Sequence, residues 1–123
     1  MKKILLFSLL VSGALWAGEF EDAESAYKVG QYSVAFSKYQ ACAPKGNAAC
    51  QFKLAEMYYD GQGVRQNKAE AVKWYKASAE LGYIEAQFQM GYMYENGVQV
   101  KQDNAEAARW YKKMVHALIE KNS

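Results

Sequence analysis

The sequence is poor in the residues that usually form catalytic or metal centres. It has one histidine, His116, and two cysteines among its 123 residues. A zinc site needs three or four protein ligands, and a serine or cysteine nucleophile needs a base beside it. Because the chain can hardly supply either set, we predict no metal, no cofactor and no catalytic residue. We place His116 on a solvated helix face.

Proline and net charge are scarce as well. The single proline, Pro44, is expected in a turn, so long helices can form without interruption. Fifteen basic residues stand against thirteen acidic ones, and the excess of +2 equals the charge of Lys2 and Lys3. Removal of these two lysines with an N-terminal segment would leave the chain close to neutral. A nucleic-acid-binding protein needs a basic stripe, and we therefore predict no nucleic-acid partner.

The beginning of the chain has the pattern of a secretory signal peptide. Two lysines precede an apolar run over residues 4–11, and Ala14 or Ala17 offers a small residue for cleavage. The alternative is an N-terminal membrane anchor, but the run is far shorter than the ~20 residues of a spanning helix. We predict a signal peptide over residues 1–17 and a mature domain over residues 18–123, without a stable membrane span and in a periplasmic or secreted location.

An internal repeat occupies most of the remaining chain. A shift of 36 positions brings residues 86–94 onto residues 50–58, with glutamine, phenylalanine and tyrosine falling on themselves. The same shift brings the Trp-Tyr-Lys run at residues 110–112 onto the one at residues 74–76. A fixed period of this length indicates stacked units, each of which needs a neighbour to bury its apolar face. Folds of this kind usually bind partners rather than catalyse.

Each repeat is expected to be a pair of helices. Small and apolar residues recur every four positions in the first half of each unit, which places them on one helical face. Gly61 and Gly97 are expected to end the first helices, while Asn67 and Asp103 are expected to cap the second ones. Gly91 is expected where two helices approach closely.

A shorter unit precedes these two. In its second helix the shift of 36 still holds, but Tyr27 and Gly30 fall on Tyr58 and Gly61 at a shift of 31. Five residues are therefore missing from the loop between its helices, which predicts a tight turn there. We predict an all-α, right-handed α-solenoid of three antiparallel helix pairs. The units span about residues 19–49, 50–85 and 86–121.

The two full units share a composite motif. It runs Leu54-Ala55-x-x-Tyr58-x-x-Gly61-x-Gly63-Val64 in one unit and Ala86-x-x-x-Met90-Gly91-x-x-Tyr94-x-x-Gly97 in the next, each followed by an alanine, Trp-Tyr and a lysine. Over about residues 20–115, this pattern resembles the Sel-1-like repeat, a relative of the tetratricopeptide repeat. The resemblance implies a protein-interaction module. Gln99 departs from it, because the loop usually has a second glycine there. Val115 and Leu118 replace small residues, which suits a terminal helix.

The two cysteines lie symmetrically about Gly46, between units one and two. Cys42 and Cys50 stand where the following junction has Ser78 and Ala86, positions that should face each other across a turn. A disulfide is geometrically plausible there, and the export signal favours it over two free thiols. The spacing is similar to that of the secreted Helicobacter cysteine-rich proteins, a resemblance that implies disulfides bridging adjacent helices.

This second resemblance also implies penicillin binding or weak β-lactamase activity, so a hydrolase is the alternative function. The matching residues are Ser25 and Lys28, an S-x-x-K motif on the first helix. The partner motifs S-D-N and K-T-G are absent, and one S-x-x-K arises by chance in a chain of this composition. A solvated serine and lysine explain the motif better than a catalytic pair.

The remaining candidates lie on the side of the first helices that faces away from the core. In solenoids of this type the first helices line the concave surface, so we expect a protein or peptide partner there. Mixed charge favours such a partner over a polyanion, and Tyr92 is the strongest anchor. We therefore predict an exported interaction or adaptor module of the bacterial envelope or medium. Its predicted partner-binding residues are Lys53, Glu56, Asp60, Glu85, Gln89, Tyr92 and Asn96.

Overall fold

The structure, a computed structural model, describes residues 18–123, and every regular element in this range is helical. The predicted signal peptide, with Ala14 and Ala17, lies outside the described residues. Across residues 18–123, no helix is both long enough and apolar enough to cross a membrane. The elements are α1 (residues 18–28), α2 (Tyr32–Cys42), a short 3-10 helix (Ala43–Lys45), α3 (Ala48–Asp60), α4 (Lys68–Glu80), α5 (Ile84–Asn96) and α6 (Asn104–Lys121).

The helices pack as three pairs, each formed by neighbours in the chain. α3 packs along α4 and α5 along α6, while α2 contacts α3 and α4 contacts α5 to join successive pairs. Ala23 and Ala26 of α1 are buried against α2. Because the connections are short, the two helices of a pair run antiparallel. The predicted all-α solenoid of three helix pairs is confirmed, and so is the tight turn between α1 and α2, where Gly30 has a φ of +80°.

Local signals determine where the helices begin and end. Asn67 and Asp103 cap α4 and α6, since each side chain accepts a hydrogen bond from the amide three residues later, at 3.1 Å. Asn47 caps α3 in the same way, at 3.0 Å. Gly61 and Gly97 end α3 and α5 in the left-handed conformation. The caps expected at Asn67 and Asp103 and the helix ends expected at Gly61 and Gly97 are therefore present.

Two hydrophobic clusters fill the spaces between the units. The first, between units one and two, contains Tyr39 and Leu54, and the second, between units two and three, contains Met90 and Trp110. Each of these four side chains is at most 1% exposed. Burial of a side chain of this size stabilises the fold by about 1.5–3 kcal/mol. Both clusters draw residues from two units, so the units are stable only when stacked.

Gly91 of α5 lies directly against the aromatic ring of Tyr111 in α6. A Cβ atom at residue 91 would overlap that ring. Ala55, its counterpart in α3, carries a Cβ and is fully buried. The close approach predicted for Gly91 is therefore present, and the glycine makes room for the tyrosine.

Candidate partner-binding surface

The predicted partner-binding residues lie on α3 and α5, opposite the buried stripes. We name the solvent-facing side of α1, α3 and α5 the first-helix face. Within the described chain, each hydrogen bond or ion pair between two of these seven residues joins residues of the same helix. Lys53 Nζ is 3.6 Å from Glu56 Oε1, and the Asn96 side-chain amide donates to the Tyr92 carbonyl at 3.0 Å. The structure thus presents two sets of residues, one on each helix. Asp60, Glu85, Tyr92 and Asn96 are exposed, while Lys53, Glu56 and Gln89 are half-buried.

Lys53 is the centre of an ion cluster that links α3 to α1. Besides Glu56, its ammonium group lies 4.0 Å from Glu24 Oε1 and 5.6 Å from the centre of the Tyr27 ring. The Tyr27 hydroxyl donates to Gln62 Oε1 at 3.1 Å, which fixes the ring against the loop after α3. Two carboxylates therefore share one lysine. Partly exposed pairs of this kind contribute little to stability, so their main effect is to order the side chains on this face.

Glu24 is also held from within the protein by Tyr39. The Tyr39 hydroxyl donates to Glu24 Oε1, and Tyr39 itself is fully buried in α2. Burial, together with the hydrogen bond to Glu24, raises the pKa of Tyr39 well above its ordinary value. The phenol therefore remains a neutral donor at physiological pH. As a result, side chains from α2 and α3 converge on one carboxylate of α1.

The carboxylates of this cluster outnumber the nearby cations. Burial raises the pKa of Glu56, and repulsion from Asp60 and Glu24 adds to the rise, while Lys53 opposes it. Burial is the largest cause of this rise, and the lowering by Lys53 exceeds the separate contributions of Asp60 and Glu24. An additional basic group from outside would lower this pKa again.

Repeat comparison alone did not identify Glu24 and Tyr27 as part of the site. Glu24 occupies the repeat position of Ala55 and Gly91, both buried, so the alignment assigns it to the core. The available signal was chemical, because a carboxylate at a core position must find polar partners. Nothing in the repeat pattern indicates that Glu24 of α1 comes within reach of Lys53 of α3.

Phe88 is a further residue that the sequence analysis did not single out. Its side chain is 49% exposed, and Tyr92, one turn later on α5, is 45% exposed. The counterpart Phe52 in unit two packs on the Tyr83 ring, with centroids 5.1 Å apart. The repeat position that is covered in unit two is thus open in unit three. Two large aromatic side chains therefore lie adjacent on the surface of α5.

The predicted disulfide is present. Cys42, the last residue of α2, is bonded to Cys50 in the first turn of α3, and their Cα atoms are 6.0 Å apart. Both residues are buried. Cys42 follows Tyr39 by about one helical turn, and Cys50 precedes Lys53 by the same distance. The bridge therefore joins the two helices that position the ion cluster.

The residues considered for other chemistry lie on open surface. Ser25 and Lys28 are exposed on α1, and His116 is exposed on α6. The S-x-x-K pair thus sits on an outer helix, and the hydrolase alternative gains no support from this geometry. In the range 18–123, no group of three histidine, cysteine, aspartate or glutamate side chains is arranged to hold a metal ion.

The fold and its open first-helix face define a class of protein, an α-solenoid of helix pairs with a surface available for binding. Within this class the chain belongs to the Sel1 repeat family. The Sel1 repeat model matches residues 48–83 and 84–115, which is more than half of the chain. Repeats of this family generally mediate protein interactions. The match begins at α3, so unit one lies before the matched residues.

Solved structures and a curated relative agree with this assignment. A Sel1 repeat protein from Oxalobacter formigenes superposes with a TM-score of 0.76 at 30% identity, over 83% of this chain and 44% of that one. A protective antigen present in uropathogenic Escherichia coli strains, displaying an SLR fold, gives 0.76 at 33% identity, over 85% of this chain and 23% of that one. An exopolysaccharide production negative regulator of Rhizobium leguminosarum bv. viciae is 43% identical over 54 residues, 44% of this chain and 20% of that protein. The chain spans less than half the length of each.

Proposed function

We propose that the chain is an exported adaptor that binds a protein or peptide partner on the first-helix face, which we take as the concave side of the solenoid. The observation that carries this proposal is the separation of charge between the two sets of helices. α1, α3 and α5 together hold eight acidic and two basic residues, whereas α2, α4 and α6 hold eight basic and four acidic ones. Charge sorted in this way gives one side a negative potential, which steers and orients a partner.

The ion cluster around Lys53 indicates what the partner contributes. Because Glu24 and Glu56 share this one lysine, a lysine or arginine of the partner would offset the remaining negative charge. Tyr92 adds an exposed, amphipathic side chain of the type that dominates interface energies. We therefore infer a basic segment of a protein or peptide as the partner.

Capture from an envelope extract, followed by titration of the recovered partner, tests this proposal. Glu56→Gln should weaken binding, and the difference from wild type should shrink as salt is raised. Glu70→Gln changes a carboxylate on α4 in the same way and should leave the affinity unchanged. In the bound state, nuclear magnetic resonance should find the pKa of Glu56 lower than in the free protein. Equal effects of the two substitutions, or a Glu56 pKa unmoved by binding, would contradict the proposed surface.

Export is supported by two features of the chain. Residues 1–17 have the signal-peptide pattern, and the Cys42–Cys50 disulfide is of a kind that persists in oxidising compartments. The cysteine spacing also supports the proposed kinship with the secreted Helicobacter cysteine-rich proteins. Mass spectrometry of periplasm and medium should find a chain that begins after Ala14 or Ala17 and has no free thiol. An intact N terminus with two free thiols in the cytoplasm would refute export.

A further inference from the structure

The outer side of unit three is apolar and uncovered. Phe88 and Val115 occupy the repeat positions of Phe52 and Ala79, which both pack in the cluster that includes Met90 of α5. Ala79 is 1% exposed, whereas Val115 is 48% exposed. Large exposed apolar patches on a protein surface often mark interaction sites. We name this patch the end surface, and its members are Phe88, Val115, Leu118 and Ile119, which are 49%, 48%, 40% and 60% exposed.

The end surface is not shaped to receive another unit of the same kind. α5 packs on the end of α4, where Ala79 and Gly82 leave room for it. In α6 the same repeat positions hold Val115 and Leu118. A further first helix, placed at the distance that α5 keeps from α4, would overlap these larger side chains. The occupant must therefore approach in a different geometry from that of a fourth repeat.

The charges of the two helices that flank the end surface have opposite signs. α5 carries Glu85 and Glu95 and no basic residue, while α6 carries the exposed Lys112 one turn before Val115 and has a net excess of basic residues. A two-fold axis between the helices would place α5 of each copy over α6 of the other copy, which gives two equivalent contacts. Each acidic helix would then face a basic one, around a common apolar centre. The end surface is therefore complementary to itself.

We propose that two copies of this chain associate through the end surface by a two-fold contact. Burial of the four apolar side chains from each copy supplies the favourable free energy of association, and the opposed charges of α5 and α6 set the orientation. The contact leaves the cluster around Lys53 on α1 and α3 free, so a dimer would present two such clusters to a divalent or repetitive partner.

Sedimentation velocity of the purified protein over a range of concentrations tests this proposal. Wild type should show a monomer–dimer equilibrium, and Leu118→Asp or Val115→Asp should weaken it by about tenfold or more. Val29→Asp is the matched control, because Val29 is 71% exposed in the turn between α1 and α2, at the other end of the solenoid. Circular dichroism should show unchanged helix content, since all three side chains are exposed.

A charge exchange tests the two-fold geometry. Glu95→Lys and Lys112→Glu should each weaken self-association, whereas an equimolar mixture of the two variants should restore it, because acidic again faces basic at both contacts. Failure of the mixture to associate would overturn the two-fold arrangement. The proposal as a whole would be overturned by a wild type that remains monomeric at its highest soluble concentration, or by a control variant, Val29→Asp, that dissociates as Leu118→Asp does.

Discussion

The two junctions between successive units share one hydrogen bond, but only the first of them has a disulfide. At both, a glutamine in the first turn of the following helix donates to a carbonyl at the end of the preceding one. Gln51 bonds the Ala43 oxygen at 3.0 Å, and Gln87 bonds the Ala79 oxygen at 3.3 Å. Gln51 is 6% and Gln87 5% exposed, so these bonds are shielded from water.

The covalent link between the helices differs at a single pair of repeat positions. Cys42 and Cys50 form a disulfide at the first junction, while Ser78 and Ala86 stand at the same positions of the second. Ser78 Oγ donates to the carbonyl of Ala48, the first residue of α3, at 2.8 Å. Helix ends therefore meet in the same way with and without the bridge, so the repeat itself provides the geometry. α2 and the 3-10 helix that follows it, which together match α4 in the repeat, pack on α3 about as extensively as α4 packs on α5, so the bridge is added to a junction of similar packing.

Removal of the bridge is expected to have the largest effect on stability. Cys42→Ser together with Cys50→Ala gives the first junction the side chains of the second. The bridge closes a loop with a sequence separation of 8, for which chain entropy predicts a loss of about 2.5 kcal/mol. Urea unfolding of the oxidised wild type and the variant measures this difference, and hydrogen exchange should rise first at the junction of α2 and α3.

The converse change sharpens the same comparison. Ser78→Cys together with Ala86→Cys should form a second disulfide on mild oxidation, because the two junctions are equivalent. Mass spectrometry of the digested protein would identify the bridge. Two reduced thiols at residues 78 and 86 after oxidation would show that the junctions differ in more than their side chains.

Overpacking of unit three is expected to have the next largest effect. Gly91→Leu would force the ring of Tyr111 away from α5, and we expect a loss of about 2 kcal/mol in the free energy of unfolding. Ala108→Leu serves as the control, since Ala108 is exposed on α6 and should tolerate the larger side chain. Thermal melts of both variants measure the difference, and an unchanged melt of Gly91→Leu would disprove the close approach.

Replacement of the junction glutamine, Gln51 or Gln87, should lower stability by less, and the local effect should depend on whether the junction has the disulfide. Gln87→Met leaves the buried Ala79 carbonyl without its side-chain donor, at a cost of about 1 kcal/mol. Gln51→Met removes the matching bond, but the disulfide still holds the helix ends together. Hydrogen exchange should therefore increase more in the first turn of α5 than in the first turn of α3. Equal increases would mean that the bridge gives the first junction no local protection.

The smallest expected effect concerns the loops that follow α3 and α5. Gln99 has a φ of +60°, a conformation that favours glycine, and its counterpart Gly63 has a φ of +69°. Gln99→Gly should therefore raise the free energy of unfolding by about 0.5–1 kcal/mol. Gln99→Ala keeps a Cβ in the same conformation and should give no such gain. Equal stability of the two variants would show that the loop does not strain Gln99.

The helix pairs could be predicted because their signals are local. Asn67 and Asp103 cap helices, and Gly61 and Gly97 end them, by bonds within a few residues of the chain. The disulfide was also predictable, since its cysteines flank one short turn. These local signals, repeated along the chain, were therefore sufficient to predict the helix pairs.

The contacts between helices at the candidate site could not be predicted from such local signals. The bonds of Glu24 to Tyr39 and Lys53 join α1 to α2 and α3, and no repeat position marks them in the sequence. Exposure of Phe88 likewise depends on what covers unit three, because the same residue type is packed in unit two. Sequence positions that are equivalent in a repeat differ in environment at its ends.

The affinity of Tyr92→Ala for the captured partner tests the central claim most directly. Tyr92 is 45% exposed on the first-helix face, so its removal should weaken binding by about 1–2 kcal/mol while the melting temperature stays nearly unchanged. Leu81→Ala, at a side chain that is 55% exposed outside this face, should leave the affinity as it is. An unaltered affinity in Tyr92→Ala, or unfolding of that variant, would contradict the assignment of this face to partner binding.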